Sequence, residues 1–218
     1  MRKLFPLVLC LLFLCPTARA AGSQRQYIAL ILEDEPPGFQ AQELLDGLSD
    51  RQARVTFFLS GITLEHAPDL ARQILDRGHE IGLRGCTLGS MAPMSRRAIA
   101  GELNGEIALL PPGCPIRFFR PPEGITTDGV HQVARALGLC MVESAGDGTE
   151  NENSVRFLSP LGRVRDGDIL LSEQETLLEL VDLLQHQGYT LVTLSELTAL
   201  RQARLKPGTT YRGFPPGM

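Results

Sequence analysis

Along almost the whole chain, short uninterrupted apolar runs alternate with longer stretches in which apolar residues recur every three or four positions. The runs at 27–32, 55–59, 80–83, 116–119, 139–143, 168–172 and 190–193 have strand length and do not alternate strictly with polar residues. That is the pattern of strands buried on both faces of a parallel sheet. Between them a helical period predicts helices over 41–51, 68–77, 95–110, 128–137, 175–187 and 195–204. In the segment from Glu175, the residues Leu177, Leu178, Val181 and Leu184 form one apolar stripe. Ser95 and Ser195 stand where helix N-caps are expected. Strands and helices taking turns in this way predict an α/β domain with seven parallel strands.

Three segments depart from the alternation. Residues 146–160, "GDGTENENSVRFLSP", are polar and rich in turn formers, and are expected to form a loop. Residues 206–218 are rich in Pro and Gly and are expected to be a flexible tail. The first twenty residues carry Arg2 and Lys3, an apolar run over 4–14 and then Ala18-Arg19-Ala20. That order predicts a signal peptide over 1–20, cleaved after Ala20, with the folded domain over 21–205. A membrane anchor is the competing reading, but the run is interrupted by Pro6 and falls short of the ~20 apolar residues that span a bilayer. Cys15 follows no lipoprotein cleavage box. The mature chain is therefore expected to be secreted or extracytoplasmic, with no transmembrane helix.

Composition narrows the function classes. The formal net charge is −4, and loss of Arg2, Lys3 and Arg19 leaves 18 basic against 25 acidic residues, or −7. Nucleic acid is an unsuitable partner for such a chain, since its readers carry a basic stripe. Cleavage would leave Cys86, Cys114 and Cys140, at irregular spacing and without a C-x-x-C pair. These are expected to be small apolar side chains, although one disulfide between two of the three stays open.

In parallel β/α folds, side chains meet at the carboxyl ends of the strands. The first strand leads into Glu33, Asp34 and Glu35, a base and metal ligand set or simply a solvated acidic turn. The fourth leads into Arg120, followed by two stiffening prolines, and the sixth into Glu173. The third leads into "GHEIGLRGCTLGSM", which begins like the approach to a metal loop and continues with Leu83, Arg84, Gly85, Cys86, Thr87 and Leu88.

Taken together, "ILEDEP", "ARVTFFLSG", "RGHEIG", "FFRPPEG", "GDILLSEQ" and "GYTLVTLSEL" stand in the order and spacing of known motifs. They resemble the polysaccharide deacetylase family, the NodB-homology domain of carbohydrate esterase family 4, over about residues 27–200. The resemblance implies a distorted (β/α)7 TIM-like barrel. It also implies removal of acetyl groups from chitin-like, peptidoglycan or xylan polymers, with a divalent metal, usually zinc, held by one Asp and two His.

Carried over residue by residue, the general base of the family falls on Glu33 and its metal-binding Asp on Asp34, with Glu35 in place of a Gly. The two metal histidines fall on Arg84 and Leu88, neither of which coordinates zinc. The R-x-P-x-G motif is kept as Arg120, Pro121, Pro122 and Gly124, with Glu123 in place of the usual aromatic. It implies that Arg120 orients the base and that Pro121, Pro122 and Gly124 lie at the substrate. The acid histidine falls on Glu173, and the motif ending in D-W is poorly matched across 147–151. His79 stands in the retained G-H-E-I-G run, where the histidine of the family belongs to the scaffold.

These replacements lead to a secreted, degenerate deacetylase-like domain that binds cell-wall glycan or a protein partner and needs no cofactor. Arg84 is expected to occupy the vacated metal position and pair with Asp34, Glu33 or Glu173. Two enzymatic alternatives stay open: a zinc-dependent deacetylase that recruits its metal through Asp34, Glu33 and Cys86, or a metal-free hydrolase using Glu33, Asp34 and Glu173. With no Trp and three Tyr, Phe39 and Phe119 are the nearest candidates to stack on a sugar.

Overall fold

In the first strand, β1 (Gln26–Glu33), the five residues Ile28, Ala29, Leu30, Ile31 and Leu32 are fully buried, as a strand covered on both faces requires. The computed structural model describes residues 25–33, 41–87, 89–145 and 164–217. Five further strands follow in chain order: β2 (Thr56–Leu59), β3 (Glu80–Leu83), β4 (Phe118–Phe119), β5 (Cys140–Val142) and β6 (Ile169–Ser172). The last two are β7 (Tyr189–Val192) and β8 (Thr210–Tyr211). The strands are linked in the order β6-β1-β2-β3-β4-β5-β8, and every pairing in the sheet is parallel. The first half of β1 pairs with β7 and its second half with β6. This is the curled parallel sheet that the alternation of runs predicts.

Side chains alternate between the two faces of the curl. Ile28, Leu30, Leu32, Phe57, Leu59, Ile81, Leu83 and Phe119 point outward, under the helices. Ala29, Ile31, Phe58, Phe118, Cys140, Val142 and Ile169 form a second cluster, which fills the interior. The helices are α1 (Ala41–Asp50), α2 (Gly61–His66), α3 (Leu70–Asp76) and α4 (Arg96–Leu109), then α5 (Asp128–Ala136), α6 (Leu177–His186) and α7 (Leu194–Leu200). In α6, Leu177, Val181 and Leu184 are fully buried, as their spacing predicts.

The last helix takes a different position. Leu194 and Leu197 belong to the interior cluster, and the N–H of Leu194 donates to Thr56 Oγ1 at 3.0 Å. Ser195 donates to the Glu80 carboxylate through both N–H and hydroxyl. Thr56 and Glu80 open β2 and β3, so α7 covers the amino end of the barrel. Burial raises the pKa of Glu80 while its bonds to Ser195 and Thr56 lower it. The N-cap of α7 is Thr193, in a capping box with Glu196, and not Ser195. Ser95 does cap α4.

The tail differs most from expectation. Instead of a flexible segment, it contributes β8, which pairs in register with β5 through Met141–Thr210 and Val142–Tyr211. Asp168 then bridges Gly213, the N–H of Phe214 donates to Gly167 O at 2.7 Å, and the Phe214 ring is fully buried. The segment therefore stands between β5 and β6. Arg201 secures it by pairing with Asp166 and donating from Nε to Phe214 O at 3.2 Å. The short helix α2, capped by Ser60, is also absent from the sequence expectation, because six residues are too few to show a period. Cys86, Cys114 and Cys140 form no disulfide. Among the described residues no helix is long and apolar enough to cross a membrane. The expected signal peptide and the loop over 146–160 lie outside the described residues.

His79 is 5 % exposed, accepts from the N–H of Val55 at Nδ1 and meets the Phe57 ring edge-on at 5.4 Å. Burial, then the charges of Arg77 and Arg54, lower its pKa to about 4. Above the unfolded value of 6.5 the ring is neutral in both states. As pH falls from there towards 4 the unfolded chain takes up a proton that the folded one refuses. Stability is therefore expected to fall by roughly 2–3 kcal/mol across that window, and then to level. Urea titrations at stepped pH, beside His79→Gln, check this; an equal slope in the variant would assign the effect elsewhere.

Candidate functional site

Four of the sequence-predicted residues reach one rim because each follows a strand: Glu33 ends β1, Arg84 follows β3, Arg120 follows β4 and Glu173 follows β6. Three of them meet. Arg84 Nη2 lies 2.7 Å from Glu33 Oε2, and Arg120 Nε donates to Glu33 Oε1. The carboxylate is thus held by one guanidinium on each oxygen. Both arginines are less than a tenth exposed. Arg120 also donates from Nη1 to Val142 O at 3.2 Å, at the end of β5. Glu33 is among the three partners expected for Arg84; Asp34 lies outside the described residues, as do Leu88 and Phe39. Glu173 is half-buried at the same rim, and its backbone carbonyl accepts from the Ser172 hydroxyl.

The loop that carries Arg84 is built from below. Glu106, on α4, is fully buried and accepts the backbone N–H groups of Arg84 and Gly85. One turn earlier, Glu102 accepts from the N–H of Thr87 at 2.8 Å and from its hydroxyl at 3.1 Å. The start of α2 adds two bonds, from Gly61 N to Gly85 O and from Ile62 N to Cys86 O. Gly61 needs to be glycine, since a Cβ there would stand 2.7 Å from Cys86 Cα. Glu102, Glu106 and α2 were not singled out in the sequence. Their signal is faint: two carboxylates four apart on a helix otherwise read as a solvated face.

Arg120 is aimed by its own chain. Its N–H donates to Leu83 O at 2.9 Å, and the buried Pro121 and Pro122 lead into a 3₁₀ turn, Pro122–Gly124. Glu123 holds φ 58°, which strains a non-glycine residue, and Gly124 follows at φ 67°. The positive φ at Gly124 is what calls for glycine there, since an added Cβ would meet Arg120 Nη2 only at 3.8 Å. Phe119, a candidate for sugar stacking, is fully buried in the outer core and cannot serve.

Cys86 does not turn towards Glu33. Its Sγ lies against Gly61 and Gly105, between α2 and α4. Burial, followed by the charges of Glu102, Glu106 and Glu65, raises its pKa, which keeps the thiol protonated and poor as a metal ligand. Among the described residues no three His, Cys, Asp or Glu side chains gather as a metal set.

Comparison with known proteins agrees with this architecture. The polysaccharide deacetylase profile matches residues 20–142. Among curated proteins, the chain is 28% identical over 199 residues to a peptidoglycan-N-acetylglucosamine deacetylase of Bacillus cereus, covering 80% of this chain and 89% of that protein. It is 24% identical over 205 residues to a bifunctional xylanase/deacetylase of Pseudobutyrivibrio xylanivorans, covering 88% of this chain and 33% of that protein. A chitooligosaccharide deacetylase of Sinorhizobium fredii is 28% identical, with 60% of this chain and 62% of that protein covered. The chain thus spans less than two thirds of the length of these last two relatives.

Among solved structures, a family 4 acetyl xylan esterase of Clostridium thermocellum in complex with a cobalt ion superposes with a TM-score of 0.75. It is 26% identical, and the match covers 87% of this chain and all of that one. A carbohydrate esterase family 4 pseudoenzyme of Bacillus anthracis shares the fold, with a TM-score of 0.67 at 21% identity, covering 87% of this chain and 70% of that one. The curled sheet, the strand-end motifs and these matches together establish that this chain belongs to the polysaccharide deacetylase family.

Proposed function

We propose that this chain is a secreted polysaccharide deacetylase-like domain that binds cell-wall glycan, chitin-like or peptidoglycan, and does not remove acetyl groups by the metal-dependent route. The observation that carries the reading is the state of Glu33. Besides Arg120, which would orient the base in the family, Glu33 is paired with Arg84, the residue at a metal-histidine position, so a guanidinium holds the carboxylate from the side where the metal would stand. The residues present do not fit the metal of the family either. A buried guanidinium stands where the first histidine would, and its fixed charge repels a dication. At the acid position Glu173 presents a carboxyl in place of the imidazole.

The names of the relatives support glycan as ligand: one acts on peptidoglycan N-acetylglucosamine and another on chitooligosaccharide. Loss of activity on this fold has a precedent in the Bacillus anthracis pseudoenzyme. Export rests on the charged, apolar and A-x-A order of residues 1–20.

The test is acetate release by the chain from Ala21 onward, on N-acetylglucosamine oligomers, with zinc or cobalt and again with chelator, beside Asp34→Ala. No release above the protein-free control is expected, together with retention on chitin or sedimentation with peptidoglycan. Metal-dependent release that disappears in Asp34→Ala would overturn the loss of catalysis. Failure to bind either polymer would overturn the glycan reading.

A further inference from the structure

We infer that Arg84 takes over the structural role of the metal. With Glu33 and Arg120 it forms a chain-borne ionic brace across the mouth of the barrel, and the rim is built without a metal ion. The inference rests on the degenerate reading above and extends it from what the site has lost to what has replaced it.

The brace joins β1 to two strands with which it does not pair, β3 and β4. In the sheet β2 stands between β1 and β3, and β2 and β3 stand between β1 and β4. Glu33 at the end of β1 nevertheless receives Arg84 from beyond β3 and Arg120 from beyond β4. Arg120 extends the connection to β5 through Val142 O. Three strand ends are thereby tied through one carboxylate, and Arg120 adds the fourth through its own Nη1. A metal held by side chains from several strand ends would impose the same kind of constraint, by coordination instead of ion pairing.

Charge explains why the two solutions exclude each other. Arg84 and Arg120 are nearly buried, and two guanidinium groups meeting at one carboxylate leave an excess positive charge. The fully buried Glu106, bound to the backbone of Arg84 and Gly85, supplies the second negative charge. These four formal charges cancel. A dication placed beside Arg84 and Arg120 would instead meet two fixed positive charges in a poorly solvated site. The fork of an arginine also suits the geometry, since each guanidinium presents directed N–H groups to one carboxylate oxygen.

The test uses the chain from Ala21 onward and reads thermal unfolding. Zinc or cobalt and chelator, added separately to the unaltered protein, are expected to move Tm by less than about 1 °C, because a ligand that does not bind the folded state cannot stabilise it. Arg84→Met, Glu33→Gln and the double variant then form a cycle. Each single change is expected to lower Tm by about 5–10 °C, and the double to lose little more than either single, since one interaction is being removed twice. Should Arg84→Met fail to fold, Arg84→Lys keeps the charge without the fork and is expected to show an intermediate loss.

A zinc-induced rise of several degrees that vanishes in Glu33→Gln overturns the brace, and so does strict additivity in the cycle. Failure to bind glycan would sink the functional reading alone, whereas additivity or a zinc effect sinks the brace, so the two fail separately.

Discussion

Phe214→Ala is expected to lower the free energy of unfolding by about 3–5 kcal/mol, or Tm by on the order of 10 °C, even though the residue lies close to the end of the chain. The ring is fully buried in the barrel interior and packs on Tyr211 at 5.2 Å. Its backbone is tied at both ends, by Gly167 O and by Arg201 Nε. Gly167→Ala is expected to be comparably damaging. The position holds φ 96°, and an added Cβ would stand 2.1 Å from Phe214 O. Phe214→Leu, which retains most of the volume, should cost about 1 kcal/mol. Urea unfolding of the three variants checks the series. A loss below about 1 kcal/mol for Phe214→Ala would mean that the terminal segment decorates the barrel and does not hold it.

Glu106→Ala is expected to cost about 3–5 kcal/mol, because it removes a fully buried carboxylate that accepts two backbone N–H groups and lies beside a nearly buried arginine. The N–H of Gly85 would lose its Glu106 acceptor, that of Arg84 would keep only Leu59 O at 3.1 Å, and the Arg84 guanidinium would lose a nearby negative charge. Glu106→Gln preserves an acceptor and should lose about half as much. The local signature separates this from a general loss of packing. Amide exchange at Gly85 should rise steeply in Glu106→Ala while the amides of β1 keep their protection. Unchanged exchange in the loop would show that α2 alone suffices to hold it.

Much of the fold was legible in the sequence because burial and periodicity are properties of short windows. The seven expected runs all contain strands, and β3 coincides with its run at 80–83. The six expected helices all exist, each shorter than its run by one to three residues. What escaped was short or conditional. A six-residue α2 has no period to detect, and β8 is two residues whose strand character comes from pairing with β5. Thr193 outcompetes Ser195 as N-cap because the Ser195 hydroxyl is drawn to Glu80, a residue 115 positions away.

The rim divides along the same line. That Glu33, Arg84, Arg120 and Glu173 gather at one end follows from strand ends alone, and the departures from the family pattern at 33, 84, 88 and 173 are plain in the letters. Only the tertiary structure could decide that Arg84 turns inward to Glu33 instead of to water, that Cys86 turns away between two helices, and that Phe119 is core and not platform. Each of those outcomes depends on which side chains the curl of the sheet brings together from distant parts of the chain. Hydrophobic pattern is a local property and dictates the alternating strands and helices. The partner of a buried charge is a long-range one, set by the requirement that every ion removed from water find its counter-ion in the assembled fold.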